Sequence, residues 1–207
     1  MKAKLFFLIL LALPAYSQTS ISFYTGINPH MYSFESGNFS FLDASWNPGI
    51  TIGLSGELFL SPAIAISSSI EYAYYGFNNY EGFLIGIPER IFKSATGEPS
   101  TEWRAFAEAK LFTKKSPHGR FYVSTGIGYV IEQIGTIMTT YSDMNGHDFT
   151  GPVYYENRDY FVHTLGAGER WNIASPVALD VKAQYFTNYS DRTSATIRVG
   201  LQYYLAE

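Results

Sequence analysis

The stretch Ala195-Thr-Ile-Arg-Val-Gly-Leu-Gln-Tyr-Tyr-Leu205 decides how this chain is read. Every second residue (Ala195, Ile197, Val199, Leu201, Tyr203, Leu205) is apolar or aromatic, and the set between (Thr196, Arg198, Gly200, Gln202, Tyr204) is polar, small or amphipathic. Alternation with a period of two is a strand whose two faces meet two different environments. A half-buried soluble sheet satisfies that pattern. So does a barrel with lipid outside and a polar lumen.

The same alternation recurs seven more times. Strands are predicted at about 20–34, 49–60, 63–76, 101–113, 120–140, 159–172 and 177–189, ahead of the one at 195–205. In the second, Ile50, Ile52, Leu54, Leu58 and Leu60 oppose Thr51, Gly53, Ser55, Glu57 and Phe59. Helix competes at strand four, where Ala, Glu, Lys and Arg are helix formers, but its charges fall on one face of a period-two pattern. In strand six, His163 and Glu169 land on the apolar side, which predicts a bulge or a register shift.

Connection length follows parity. The links after strands two, four and six are short and carry Ser61-Pro62, Ser116-Pro117 and Ser175-Pro176; those after one, three and five are long and polar. The link after strand seven is short but polar. A soluble sandwich has no reason to sort its loops this way, whereas a barrel inserted from one side puts all odd links on one surface and all even links on the other.

The first residues set the compartment. Lys2 and Lys4 precede an apolar run, Leu5–Leu13, and Ala15-Tyr16-Ser17 supplies small residues for cleavage before Gln18. That is the layout of a secretory signal peptide over 1–17, its apolar run being shorter than the ~20 residues a spanning helix needs. The barrel domain is then expected over 18–207. Loss of Lys2 and Lys4 leaves 12 bases against 18 acids and moves the formal charge from −4 to −6. Nucleic acid is therefore not an expected partner. With no cysteine there is neither a disulfide framework nor a lipid-anchored Cys.

Charge sorts by face. The polar faces hold Glu57, Glu71, Glu108, Glu132 and Asp180 with Arg104, Lys110, Arg170, Lys182 and Arg198; on the apolar faces only Glu169 is charged. In an interior just wide enough for side chains, acids and bases should pair. The plain reading is a structural plug, and a gated pore is the sharper one. Tyr74, Trp103 and Tyr185 near the outer strand ends, with Phe121, Trp171 and Tyr203 near the inner ends, are placed as an interfacial aromatic girdle.

Little points to chemistry. The four histidines (His30, His118, His147, His163) are scattered, and Gly126-Ile-Gly128 and Gly166-Ala-Gly168 lie inside strands, where glycine relieves crowding. Asp143-Met-Asn-Gly-His-Asp148 carries a fragment of calcium-loop spacing without the bidentate Glu, and an Asn-Gly hairpin turn accounts for it. No catalytic residue, metal or cofactor is expected.

Taken whole, the chain resembles the small eight-stranded outer-membrane barrels of the OmpA/OmpX type. In that class the last strand carries an assembly signal, and Arg198, Gly200, Tyr203 and Leu205 fit its order of polar residue, glycine and two hydrophobic or aromatic positions. The chain departs from the common form in ending Leu-Ala-Glu rather than on Phe. The resemblance implies an all-β, eight-stranded antiparallel up-and-down transmembrane β-barrel in the cell outer membrane of a Gram-negative cell. It implies outer-membrane lipid and the assembly machinery as partners, and a monomer. The expected role is structural or cell-surface interaction through loops 35–47, 77–100 and 141–158, where Phe83, Phe92, Phe149, Tyr154 and Tyr155 offer a patch for an unnamed surface ligand. A lipid A-modifying barrel enzyme or small pore is the alternative, and a secreted lipocalin-like barrel, which would need an apolar interior, the weaker one.

Overall fold

The computed structural model describes residues 19–28, 33–36, 39–85, 90–113, 119–153, 157–188 and 193–205. The signal-peptide reading and most of the link around Ser116-Pro117 lie outside these residues. In chain order the strands are β1 (Thr19–Asn28), β2 (Ser33–Ser36), β3 (Phe39–Trp46), β4 (Gly49–Ser61), β5 (Ile64–Tyr75), β6 (Phe77–Asn78), β7 (Tyr80–Ile85) and β8 (Arg90–Gly97). Then follow β9 (Ser100–Phe112), β10 (Arg120–Gln133), β11 (Ile137–Asp143), β12 (Asp148–Val153), β13 (Arg158–Ala174), β14 (Val177–Thr187) and β15 (Thr193–Tyr204).

Eight of them close a barrel in the order β1-β15-β14-β13-β10-β9-β5-β4, each paired antiparallel to its neighbours. The topology is up-and-down, and it closes where β15 meets β1, from Ser20↔Tyr204 to Ile27↔Ile197. Alternation in the sequence becomes alternation in space. Phe23, Ile52, Leu54, Ile127, Leu165, Ile197 and Leu201 point outward and are exposed, while Thr51, Glu71, Arg104 and Arg170 point inward and are buried. This inverts a soluble fold: large aliphatics coat the outside and ionised groups fill the middle.

Packing inside depends on pairing rings with glycines on neighbouring strands. A Cβ at Gly53 would lie 2.4 Å from the Tyr24 ring, one at Gly128 2.3 Å from Phe106, and one at Gly168 2.5 Å from Tyr122. Each ring takes up the space that a side chain at the glycine would occupy, which lets large aromatics fit a narrow barrel.

Three expectations change. Strand one stops at Asn28, and the polar link after it holds its own hairpin, β2 with β3. Strand five is two strands, because the chain breaks at Ile134-Gly135-Thr136, where a Cβ at Gly135 would meet the Glu98 carbonyl at 2.3 Å. In strand six the register with β10 runs unbroken past Glu169 and His163 (Phe121↔Glu169, Ile127↔His163), so both residues do face outward. The irregularity sits further on, between Asn172 and Ala174 opposite β14.

The long links emerge at one end, and their described residues include further strands. Strands β7 and β8 from one link and β11 and β12 from another form a single sheet in the order β12-β11-β8-β7. The β8–β11 pairing joins the two links, with a bulge between Thr140 and Tyr141. The described links at the opposite end are tight: Ser61 Oγ accepts from the amides of Ala63 and Ile64, closing the β4–β5 turn.

Candidate functional site

The lumen is where the unusual chemistry lies. Its side chains come from alternate positions of all eight barrel strands and divide into tiers along the axis.

Nearest the tight-turn end, Glu57 accepts from Lys110 Nζ at 2.6 Å and from Arg170 Nη1 and Nη2 at 2.7 and 3.1 Å. Arg170 Nε also donates to Asp180 at 2.9 Å, whose other oxygen accepts the Tyr122 hydroxyl at 2.6 Å. In the middle tier, Glu108 accepts from Lys182 Nζ through both oxygens, at 2.7 and 2.5 Å. Gln184 Nε2, Ser124 Oγ and Thr164 Oγ1 complete its shell at 3.1, 3.3 and 3.2 Å. In the outer tier Arg198 Nη1 pairs with Glu71, which also takes the Tyr24 hydroxyl at 3.0 Å. Arg104 Nε donates to Glu102 at 2.6 Å, Nη1 to Asn28 at 3.1 Å, and Nη2 to the Tyr75 hydroxyl.

All ten charged residues expected on the polar faces point inward. Glu132 is buried at the outer end of β10, in register with Arg158 and Glu102. Sequence reasoning missed Glu102, buried beside Arg104. Its signal was present, since it continues the 104-106-108-110 phase by one step, but it fell at the predicted strand edge.

Aromatic rings carry cations throughout the lumen. Arg104 lies 4.8 Å from the Phe186 centroid, Arg198 5.0 Å from Tyr24, Lys110 5.1 Å from Tyr122, and Arg170 4.9 Å from Phe112. Inside a low-dielectric wall a cation–π contact is worth about 2 kcal/mol or more. These rings therefore share the charge with the carboxylates.

A cavity of about 40 Å³ opens between the middle tier and the tier nearest the tight-turn end. Ser20, Ser22, Ser55, Ser67 and Ser69 form one wall, and Glu108, Lys110, Lys182 and Arg198 are among the residues opposite. A water needs roughly 10–15 Å³ by that measure, so the cavity has room for about three.

On the outer surface, Tyr74, Trp103, Tyr185, Phe121 and Tyr203 are exposed, and Trp171 is partly so. Tyr72 stacks on Trp103 with centroids 5.1 Å apart and Tyr129 on Phe161 at 4.9 Å, adding rings the sequence reading did not place in a girdle. Along β10, Phe121 and Ile131 (the partner of Trp103) are ten residues apart. That is about 33 Å of strand and, at ~40° tilt, about 25 Å of height, the thickness of an apolar membrane band. The fold is that of a small outer-membrane β-barrel.

One solved structure shares that geometry, and others are similar to the chain at lower TM-score. The outer-membrane protein OprG of Pseudomonas aeruginosa is similar over 92% of this chain and 97% of its own, with a TM-score of 0.56 and 9% identity. Ail, the attachment invasion locus protein of Yersinia pestis, aligns with 92% of this barrel chain and 100% of its own at TM-score 0.49 and 15% identity. Neisserial surface protein A aligns with 92% and 98% at 0.49 and 10% identity. No family model matches the chain, and no curated protein does.

The remaining expected positions are placed as follows. In the barrel's last strand, Arg198 and Gly200 face inward and Tyr203 outward; Leu205 lies just past β15, its amide donating to the Thr19 carbonyl at 2.9 Å. His163 is on the lipid-facing side, paired across to Ile127 and Thr187. Asp143 accepts from the amides of Asn145 and His147 at 2.9 and 2.8 Å, which is a turn's use of that carboxylate. Among the described residues no three His, Asp or Glu are arranged to hold a metal. Phe92, expected as part of an exposed loop patch, is buried against Tyr141 at 5.5 Å; Phe149 is exposed.

Proposed function

We propose that this protein is an integral outer-membrane barrel whose lumen is plugged and whose role is structural or one of cell-surface interaction, carried by the sheet-forming links at one end. The observation that carries the reading is the Glu108 carboxylate, buried at mid-lumen and held by Lys182, Gln184, Ser124 and Thr164 from three different strands. A carboxylate tied this fully does not offer its oxygens to a permeating ion. The outer end differs from the inner one in a way that suits display. It holds a four-stranded sheet with Met144 and Phe149 exposed, while the described inner links are tight turns.

Outer-membrane lipid would cover the outward aliphatics, and the Arg198–Leu205 strand would be the part read by the assembly machinery. The barrel would act as a monomer, without cofactor and without catalysis. Cell fractionation with heat-modifiable gel mobility tests the membrane reading, and planar-bilayer conductance with lipid A mass spectrometry tests the role. Outer-membrane fractionation, silence in the bilayer and unchanged lipid A are expected. Conductance would favour the pore, altered lipid A the enzyme, and soluble fractionation would end the proposal.

A further inference from the structure

The lumen contains a wet, charged cavity with a dry layer on either side of it, and Phe106, Val130, Val162 and Phe186 form the one toward the loop end. Below the serine-walled cavity, at the tight-turn end, Phe59, Ala65, Phe112 and Tyr122 form one buried apolar cluster with Tyr204 packed on it. Ring centroids are 5.5 Å apart for Phe59–Phe112, 5.1 Å for Phe112–Tyr122 and 6.4 Å for Phe59–Tyr204. At those spacings the rings are in contact, so no hydrated ion fits between them.

Two arginines brace this layer. Arg120 stacks on both rings, 4.2 Å from the Phe112 centroid and 4.8 Å from Phe59, and its Nη1 donates to the Pro62 carbonyl at 2.9 Å in the β4–β5 turn. Arg170 lies 4.9 Å from Phe112 and is itself tied to Glu57 and Asp180. Only Tyr122 belongs to both regions: its ring packs in the layer and its hydroxyl donates to Asp180, which lines the cavity.

We infer that the arginine-braced aromatic layer of Phe59, Phe112 and Tyr122 is a second closure, below the ion-pair lattice that fills the mid-lumen, and that it is this layer that keeps water and small ions out at the tight-turn end. The cavity is a hydrated chamber: its serine hydroxyls, ammonium groups and carboxylates favour water, and its volume admits it. Ion pairs in contact with water exchange partners, whereas stacked rings exclude water altogether. Arg120 is the latch. It is only partly buried, joins the rings to the turn through its hydrogen bond to Pro62, and also hydrogen-bonds Tyr204.

The inference rests on the reading of the chain as an inserted barrel, and the test separates the two. The chain has no cysteine, so Ser67→Cys places one thiol in the chamber. The full barrel, refolded into lipid vesicles, is exposed to Ag⁺, a water-sized thiophilic ion. Thiols that remain free are then counted with a maleimide after denaturation. With the layer intact, Ser67→Cys should be protected from Ag⁺. Phe112→Ala or Arg120→Gln in that background should speed its loss by roughly tenfold or more, a change one desolvated cation–π contact is large enough to produce. Glu108→Gln combined with Lys182→Gln, which removes the ion pair without leaving either charge alone, should not.

Rapid reaction with the layer intact, or no acceleration in Arg120→Gln, overturns the seal. Acceleration by the Glu108→Gln, Lys182→Gln double variant equal to that of the layer variants gives the role to the ion pairs and overturns the seal. Arg120→Gln keeps every ring and is the arm to read should Phe112→Ala fail to refold. A chain that never shows heat-dependent mobility fails the barrel reading itself, independently of any labelling rate.

Discussion

Lys182 donates to both oxygens of the Glu108 carboxylate across the mid-lumen, 74 residues away in sequence, and both side chains are almost wholly buried. Neither charge has a second full counter-charge within bonding distance among the described residues. Removing one partner leaves the other buried without its counter-charge. Glu108→Gln should therefore destabilise the barrel by about 3–5 kcal/mol, while Glu108→Leu with Lys182→Met should lose much less. Urea unfolding in lipid vesicles measures both, and equal losses would show that the pair does not act as a unit.

Gly53 and Gly56 lie three residues apart in β4 and meet different surroundings. A methyl at Gly53 would press on the Tyr24 ring at 2.4 Å, whereas one at Gly56 meets nothing within 4 Å. Gly53→Ala should cost about 1–3 kcal/mol and Gly56→Ala stay within about 0.5 kcal/mol of the parent. Matching losses on the same unfolding curve would remove ring-on-glycine packing from the explanation.

In the final strand two roles can be pulled apart. A Cβ at Gly200 would sit 2.6 Å from Tyr24 Cβ and 2.9 Å from the Phe23 carbonyl, so Gly200→Ala disturbs closure against β1 as well as any assembly signal. Tyr203 is outward and exposed. Tyr203→Ala should lower the amount inserted in cells yet leave refolding in detergent almost unchanged. A parallel drop in both assays would make Tyr203 a packing residue only.

The hairpin of β11 and β12 should be acid-sensitive. Asp148 is held below its ordinary pKa of 3.8, first by the hydrogen bond from Lys93 and then by that from Ser142. Because the folded value is the lower one, the stabilisation is complete above the ordinary carboxylate pKa and lost as pH falls through the folded one. Amide protection across β8, β11 and β12 should hold at pH 5 and fall only below about pH 4. Lys93→Ala should move that fall towards the ordinary value, and a profile unchanged by the substitution would exclude the pair.

Alternation alone made the barrel legible, because lipid and lumen impose opposite demands on successive residues of every strand. Ile197 against Arg198 and Leu54 against Glu57 are enough to fix the phase. The charged interior was legible for the same reason. Less was visible at the outer end, where β8 and β11 find each other across more than thirty residues and neither carries a two-faced pattern. The cations stacked on Phe59, Phe112 and Phe186 were hidden too, since a ring in sequence shows its hydrophobicity but not the guanidinium above it. His163 and Glu169 looked like a register fault because an outward polar residue breaks the rule the other strands keep.

The β8–β11 pairing means that the links carried by β5–β9 and β10–β13 are one object. Seven paired positions, Gly97↔Ile137 through Arg90↔Asp143, tie them into a common sheet. Grafting a foreign epitope into one link alone would leave the other with an unfinished edge, so an exchange that keeps the sheet must transplant both together.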